Sequence, residues 1–402
     1  MPRPTSLRAR LVLAAVATVV SLLVAAVAYR RLAAPPVDSV AVVDNRSRLD
    51  ELLRGRSIDP SRLAPRPLDD ERADVVREPL SLNTARVFFT QAGVNRPFNQ
   101  DFYYARAPNL EFRVEWPEHP DGAYVVRTNS LGMREDEEVF PIRPDLRVIV
   151  TGDSHTDGVC SNDESFPARL EHLLAARAPD RHVEVLNAAA GGYSFYNYLG
   201  VFEHYRYLEP HVFVMAVYGG NDFSAMVGLQ RYFHHRPPPH RREPGIAQLV
   251  GDDAAPRGIG AQELGQACHF ADNPEDVAIA VETATRITRE LDRLGRKSGI
   301  RAIVVYVPPP FRGQPHRFVE ETRTMLARVG LDEEELAVSD RIADAWLAAV
   351  RESDVPVLDL RPMFRSAEEC LYFRRDSHID LLAHERIADA LLPIVESVLE
   401  AP

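Results

Sequence analysis

The stretch Arg147-Val-Ile-Val-Thr-Gly-Asp-Ser-His-Thr-Asp-Gly158 decides how this chain is read. Its β-branched apolar run reads as a buried strand. The Gly-Asp-Ser turn that ends the run places Ser154 at the strand's carboxyl end, where open α/β sheets put their ligand crevice. Taken alone, such a triplet is a weak signal, since most are ordinary turns, so the weight rests on three later segments. Val183-Glu-Val-Leu-Asn-Ala-Ala-Ala-Gly-Gly-Tyr-Ser194 runs from a strand into Asn187 and a Gly-Gly turn. Val212-Phe-Val-Met-Ala-Val-Tyr-Gly-Gly-Asn-Asp222 is another buried-type strand, ending in Gly-Gly-Asn-Asp. Tyr372-Phe-Arg-Arg-Asp-Ser-His-Ile-Asp380 precedes a C-terminal helical pattern in which Leu381, Leu382, Ile387, Ala388, Leu391 and Leu392 recur at helical spacing. Further strands are expected at Ile303–Val307 and Val355–Leu360, and helices at Pro274–Lys297 and Leu331–Glu352. Alternating strands and helices imply an α/β fold, a parallel sheet with helices on both faces.

These residue types suit acyl transfer. A serine hydroxyl is a poor nucleophile until a base takes its proton, and His378 fits that role for Ser154. The imidazole needs a fixed tautomer and a counter-charge, which Asp376 can supply. Each residue also has a plainer reading. Asp153 suits a turn, Asn221 and Asp222 suit a helix cap, and Asp380 suits the N-cap of the last helix.

The order of serine, glycine, asparagine and Asp-x-His, each at a strand end, resembles the SGNH (GDSL-type) hydrolase superfamily from roughly Leu146 to the C-terminus. The resemblance implies a three-layer α/β/α sandwich with a mainly parallel, flavodoxin-like sheet. It also implies an oxyanion hole made by the Ser154 N–H, the Gly192 N–H and the Asn221 side-chain amide. Gly191 and Gly192 are both candidates, and the family's Asn-x-x-x-x-Gly spacing, counted from Asn187, favours Gly192. The family's acid most often lies three residues before the histidine, where this chain has Arg375. Asp376, two before, is similar to the spacing of polysaccharide O-acetyltransferase-like members. Upstream, Tyr124-Val-Val-Arg-Thr-Asn-Ser-Leu-Gly-Met-Arg134 resembles the Thr-Asn-x-x-Gly-x-Arg segment of membrane-anchored bacterial relatives, with a strand at Tyr124–Arg127 and a turn at Asn129–Gly132.

Leu11–Ala28 is an uncharged run flanked by Arg3, Arg8 and Arg10 before and by Arg30 and Arg31 after. It meets the lower length limit for a membrane span and exceeds the usual signal-peptide core, although Ala26-Val-Ala28 resembles a cleavage site. The expected organisation is a cytoplasmic tail (1–10), a single transmembrane helix (11–28) and a stalk or linker (29–85). An accessory β-containing segment (86–145) and the catalytic domain (146–402) follow, the latter in the periplasm or outside the cell. Within the catalytic domain, 223–273 reads as an insertion. Pro237–Pro239 suggest an extended lid or solvated loop there.

With 59 acidic and 47 basic residues, the net charge of −12 argues against nucleic-acid binding. Cys160, Cys268 and Cys370 suggest one disulfide and one free thiol in an exported chain. Within Tyr232–Arg242, no carboxylate or cysteine joins His234, His235 and His240 to complete a metal site. The expectation is a serine esterase without cofactor or metal. Its substrate would be an acylated small molecule or carbohydrate of the cell envelope. An O-acyltransferase would use the same acyl-enzyme. Two readings from other classes are a catalytically silent glycan-binding protein on the same fold and a metallophosphoesterase, which Asp153, His155 and Asp222 faintly echo.

Overall fold

The computed structural model describes residues 71–89, 92, 96–241 and 259–400. These fall within one compact unit, Val42–Pro402. The expected tail, membrane helix and most of the stalk lie outside the described residues. Among those described, no helix is long and apolar enough to cross a membrane.

The apolar runs form the strands they predict. Strands β1 (Phe98–Asn99), β2 (Tyr103–Tyr104), β3 (Glu111–Glu115) and β4 (Ala123–Arg127) form two antiparallel pairs, β1–β2 and β3–β4. They precede a five-stranded sheet of β5 (Leu146–Thr151), β6 (Val183–Asn187), β7 (Val212–Tyr218), β8 (Arg301–Val307) and β9 (Val357–Asp359). Its order is β6-β5-β7-β8-β9, and every pairing is parallel. This is the flavodoxin-like order, with its switch point between β5 and β7. All residues of β5 and β7 are buried, as expected for strands covered on both faces.

The helices used below are α1 (Leu82–Phe88), α2 (Ser154–Asp157), α3 (Phe166–Arg177), α4 (Phe195–Tyr205), α5 (Asp222–Phe233), α6 (Ala261–Asp272), α7 (Asp276–Lys297), α8 (Val338–Arg351) and α9 (Leu381–Glu400). Helices α3 and α9 pack together against one face of the sheet, while α4, α5, α7 and α8 form the layer on the other. The edge strand β6 is protected along its free side. Glu171 accepts the Val185 N–H at 2.6 Å and Glu135 the Asn187 N–H at 2.5 Å, so side chains satisfy donors that an edge would otherwise leave open.

Three expectations change. First, 223–273 is not mainly an extended loop. Phe223, Met226 and Val227 are buried at helical spacing in α5, and Leu264, Ala267 and Cys268 are buried in α6. The stretch 236–241, which contains the three prolines, lacks regular structure; residues 242–258 lie outside the described residues. Second, no disulfide forms among the cysteines, which are all free thiols. Cys268 is packed in the core within α6, and Cys370 Sγ donates to the Tyr372 carbonyl at 3.3 Å. Burial pushes the Cys160 thiol up to about 12. Third, the helix expected over 331–352 is broken. Asp332 caps a short turn at Glu333–Leu336 reciprocally with Glu335, and α8 starts only at Val338.

Candidate active site

Ser154 begins α2 just beyond the end of β5. Gly152 makes the close turn possible, since a Cβ there would sit 2.0 Å from Thr156 Oγ1 and 2.9 Å from the Ala216 carbonyl. Asp153 is the N-cap of α2, its Oδ1 accepting the His155 N–H at 2.9 Å. The plain turn reading of Asp153 therefore describes what its side chain does. Its other oxygen faces the Ser154 hydroxyl at 3.4 Å.

The strand ends on either side bring the other expected residues. Gly192 follows β6 with φ +83°, a conformation that favours glycine. Asn221 follows β7 and occupies the N-cap position of α5, yet its side chain makes no capping bond, and its Oδ1 is buried without a partner among the described residues. The helix-cap reading thus leaves the Asn221 amide unexplained. Ser154, Gly192, Asn221, Asp376 and His378 are all half-buried, whereas Asp153, His155, Asp157, Gly191 and Ser377 beside them are buried. The five residues expected to do the chemistry thus keep partial access while these immediate neighbours do not.

In the loop before α9, Asp376 Oδ1 lies 2.5 Å from His378 Nδ1 and accepts the His378 backbone N–H at 3.1 Å. Burial draws the imidazole pKa down, but the hydrogen bond and charge of Asp376, with Asp153 and Asp157 behind it, outweigh this and leave it raised. For Asp376, burial opposes ionisation, and the histidine more than offsets it, so its carboxyl is lowered. Asp380 faces elsewhere, its Oδ1 accepting the Ala383 N–H of α9 at 2.9 Å, and burial raises its pKa to about 6. His378 Nε2 is buried without a hydrogen-bond partner among the described residues. It does not yet bond Ser154, and such contacts tighten when substrate binds.

Two neighbours were not singled out as site residues from sequence. The His155 ring stacks on Tyr218 at 3.6 Å and lies 4.7 Å from the His378 ring. Burial, then the nearby His378, hold its pKa well below the usual value, so it stays neutral. Asp222 accepts the Tyr198 hydroxyl at 2.6 Å and the Tyr218 N–H at 2.8 Å. Burial and the charge of Asp153 raise its carboxyl. His155 adjoins the serine and Asp222 adjoins the asparagine, so motif position alone was the available signal. Among the described residues, no group of His, Cys, Asp and Glu is arranged to hold a metal ion.

The model of the GDSL-like Lipase/Acylhydrolase family matches residues 150–384, which include all five expected site residues. Several solved structures are similar. LAE5, an alpha/beta hydrolase enzyme from the metagenome of Lake Arreo, Spain, is 17% identical, with 63% of this chain and 96% of that one covered at TM-score 0.38. A catalytic mutant of Axe2, an acetylxylan esterase from Geobacillus stearothermophilus, is 13% identical, with 62% and 93% covered at TM-score 0.38. The psychrotrophic esterase EstA from Pseudoalteromonas sp. is 11% identical, with 64% and 100% covered at TM-score 0.35. No curated protein matches the chain.

Proposed function

The chain belongs to the GDSL-like lipase/acylhydrolase family, and from that premise we propose that it is a serine-dependent acyl-ester hydrolase acting through Ser154, His378 and Asp376. The single observation that carries the reading is the Asp376–His378 pair, 2.5 Å apart at Nδ1. It leaves Nε2 as the free ring nitrogen, in a loop that the fold brings near the serine turn. His378 takes the Ser154 proton as the hydroxyl attacks the acyl carbonyl, then returns it to the departing alcohol. Asp376 holds the tautomer and balances the imidazolium. The Ser154 and Gly192 N–H groups and the Asn221 amide receive the oxyanion, each such donor lowering the barrier by about 3 kcal/mol. Water then attacks the acyl-enzyme by the same base.

The substrate we propose is an O-acyl group on an envelope or extracellular carbohydrate. This rests on the uncharged Leu11–Ala28 run, which we read as a single-pass membrane anchor with the catalytic domain periplasmic or extracellular. The tail, stalk, accessory segment and catalytic domain follow in the order given above. Transfer to a second hydroxyl is the alternative outcome of the same acyl-enzyme. A screen of acetyl and longer acyl esters, with and without a saccharide acceptor, tests both readings. Hydrolysis unaffected by acceptor supports the esterase, acyl transfer to the acceptor supports the transferase, and no turnover of any ester supports a silent binding protein.

A further inference from the structure

We propose that Tyr104, together with Arg96, is a positioning residue that aims the Gly192 N–H at the oxyanion by holding the Gly191 carbonyl. The inference rests on the serine mechanism above. Tyr104 Oη donates to the Gly191 carbonyl at 2.7 Å, and Arg96 Nη1 donates to the same oxygen at 2.9 Å. That carbonyl and the Gly192 N–H belong to one peptide unit. The unit is planar and trans, so its C=O and N–H point in opposite directions. Fixing where the carbonyl points therefore fixes where the donor points. A Gly-Gly turn needs such a hold, because glycine backbones reorient more freely than others.

The hold is built to stay in place. Tyr104 is fully buried in β2. Its ring meets the Tyr193 ring edge-on at 5.0 Å, and the Tyr193 hydroxyl donates to the Tyr104 carbonyl at 2.6 Å. The Arg96 guanidinium lies over the Tyr104 ring, 5.9 Å from its centre. Burial raises the Tyr104 pKa, so the hydroxyl remains a donor throughout the working range.

The other side of Gly191 is tied to the serine turn. Its N–H donates to Asp157 Oδ2 at 3.3 Å, and Asp157 is the last residue of the helix that Ser154 begins. Arg106 Nε donates to Asp157 Oδ1 at 2.9 Å, and Arg106 Nη2 pairs with Oδ2. Arg134 lies 3.7 Å from Oδ1 and donates to the carbonyls of Asp157, Gly158 and Cys160. Burial opposes the Asp157 charge, but the two arginines keep its carboxyl low. Nucleophile and donor are thus set in one frame by residues 96–134, and the frame has a role in the reaction beyond covering the sheet.

The test uses the full chain carrying Tyr104→Phe, and Tyr104→Phe combined with Arg96→Gln. Misplacing a reacting group by about 1 Å can cost about 100-fold in rate. We expect kcat to fall about tenfold in Tyr104→Phe and about 100-fold in the double variant. KM should stay within about twofold, because the carbonyl of the bound ester needs the donor only as it becomes an oxyanion. Serine labelling by a fluorophosphonate should slow in parallel with kcat. A wild-type kcat in both variants, or a loss confined to KM, overturns the proposal. Should the double variant fail to fold, Tyr104→Phe, which removes one oxygen atom, decides alone. Ser154→Ala run beside them separates the two readings. Full turnover in Ser154→Ala refutes the serine mechanism itself, whereas its loss beside a normal Tyr104→Phe/Arg96→Gln refutes only the positioning role.

Discussion

Asp376→Asn separates a catalytic acid from a structural one. The raised pKa of His378 is a balance in which burial pulls down while the Asp376 hydrogen bond and charge push up. Asparagine keeps the shape but removes the charge and can present an N–H to Nδ1. Burial then dominates, and the imidazolium formed during attack loses its counter-charge. In the serine-protease template, the equivalent change costs about 10⁴ in turnover, which is about 5.5 kcal/mol at 1.36 kcal/mol per decade. The pH profile carries a second signature with a definite sign. Activity requires neutral His378, so the acid limb of the wild-type rate lies above the ordinary histidine value. In Asp376→Asn it should move to lower pH. The assay is kcat for p-nitrophenyl acetate across the range from about pH 5 to 9, with melting temperature measured on the same samples. Asp380→Asn is the control. Its side chain caps α9 through the Ala383 N–H, so the expected cost is about 1 kcal/mol of stability at most, with near-normal kcat. Turnover within about tenfold of wild type in Asp376→Asn, or collapse in Asp380→Asn instead, would refute the assignment.

Other expectations follow from the site, from the buried Glu263 and from the proposed Leu11–Ala28 anchor. Asn221→Ala should lower kcat by about 10²–10³ with little change in KM, since an oxyanion donor acts mainly in the transition state; an unchanged kcat would return Asn221 to a local structural role. Glu263 in α6 is buried and its pKa is raised to about 8 by that burial, although it accepts the Phe311 N–H at 3.0 Å. A carboxyl raised in the folded state is stabilising below its unfolded value and loses that contribution as pH rises through its folded value. Glu263→Gln should therefore gain stability relative to wild type between about pH 4.5 and 8, by up to roughly 3–5 kcal/mol; a pH-independent difference in denaturant midpoint would contradict this. The native protein should fractionate with membranes and resist an alkaline wash, whereas a mature N-terminus at Tyr29 or beyond would show a cleaved signal.

The parallel sheet was legible because β5 and β7 are buried on both faces and carry the apolar runs Val148–Val150 and Val212–Tyr218. The turns carrying Ser154 and Asn221 were legible because each directly ends such a run. Helices α5 and α6 were missed for a physical reason. Phe223, Met226 and Val227 carry helical spacing, but the three prolines that follow coloured the reading of the whole stretch, although a proline constrains only its own neighbourhood. The contacts around Asp157 were out of reach for another reason. Arg106 stands 51 positions before it and Gly191 34 after, and no periodicity links a buried charge to partners so distant. Tyr104 likewise read only as one aromatic in an accessory stretch, since its Gly191 contact spans 87 positions. The cysteines invited pairing by count alone, whereas each thiol sits in its own packed or hydrogen-bonded setting.

The most direct test of the central claim is to treat the folded protein and its Ser154→Ala variant with a fluorophosphonate, map the modified residue by mass spectrometry, and assay ester turnover on the same preparations. The account predicts one label, on Ser154, with turnover lost in proportion to labelling, and neither labelling nor turnover in Ser154→Ala at an unchanged melting temperature. Full ester cleavage by folded Ser154→Ala would contradict it.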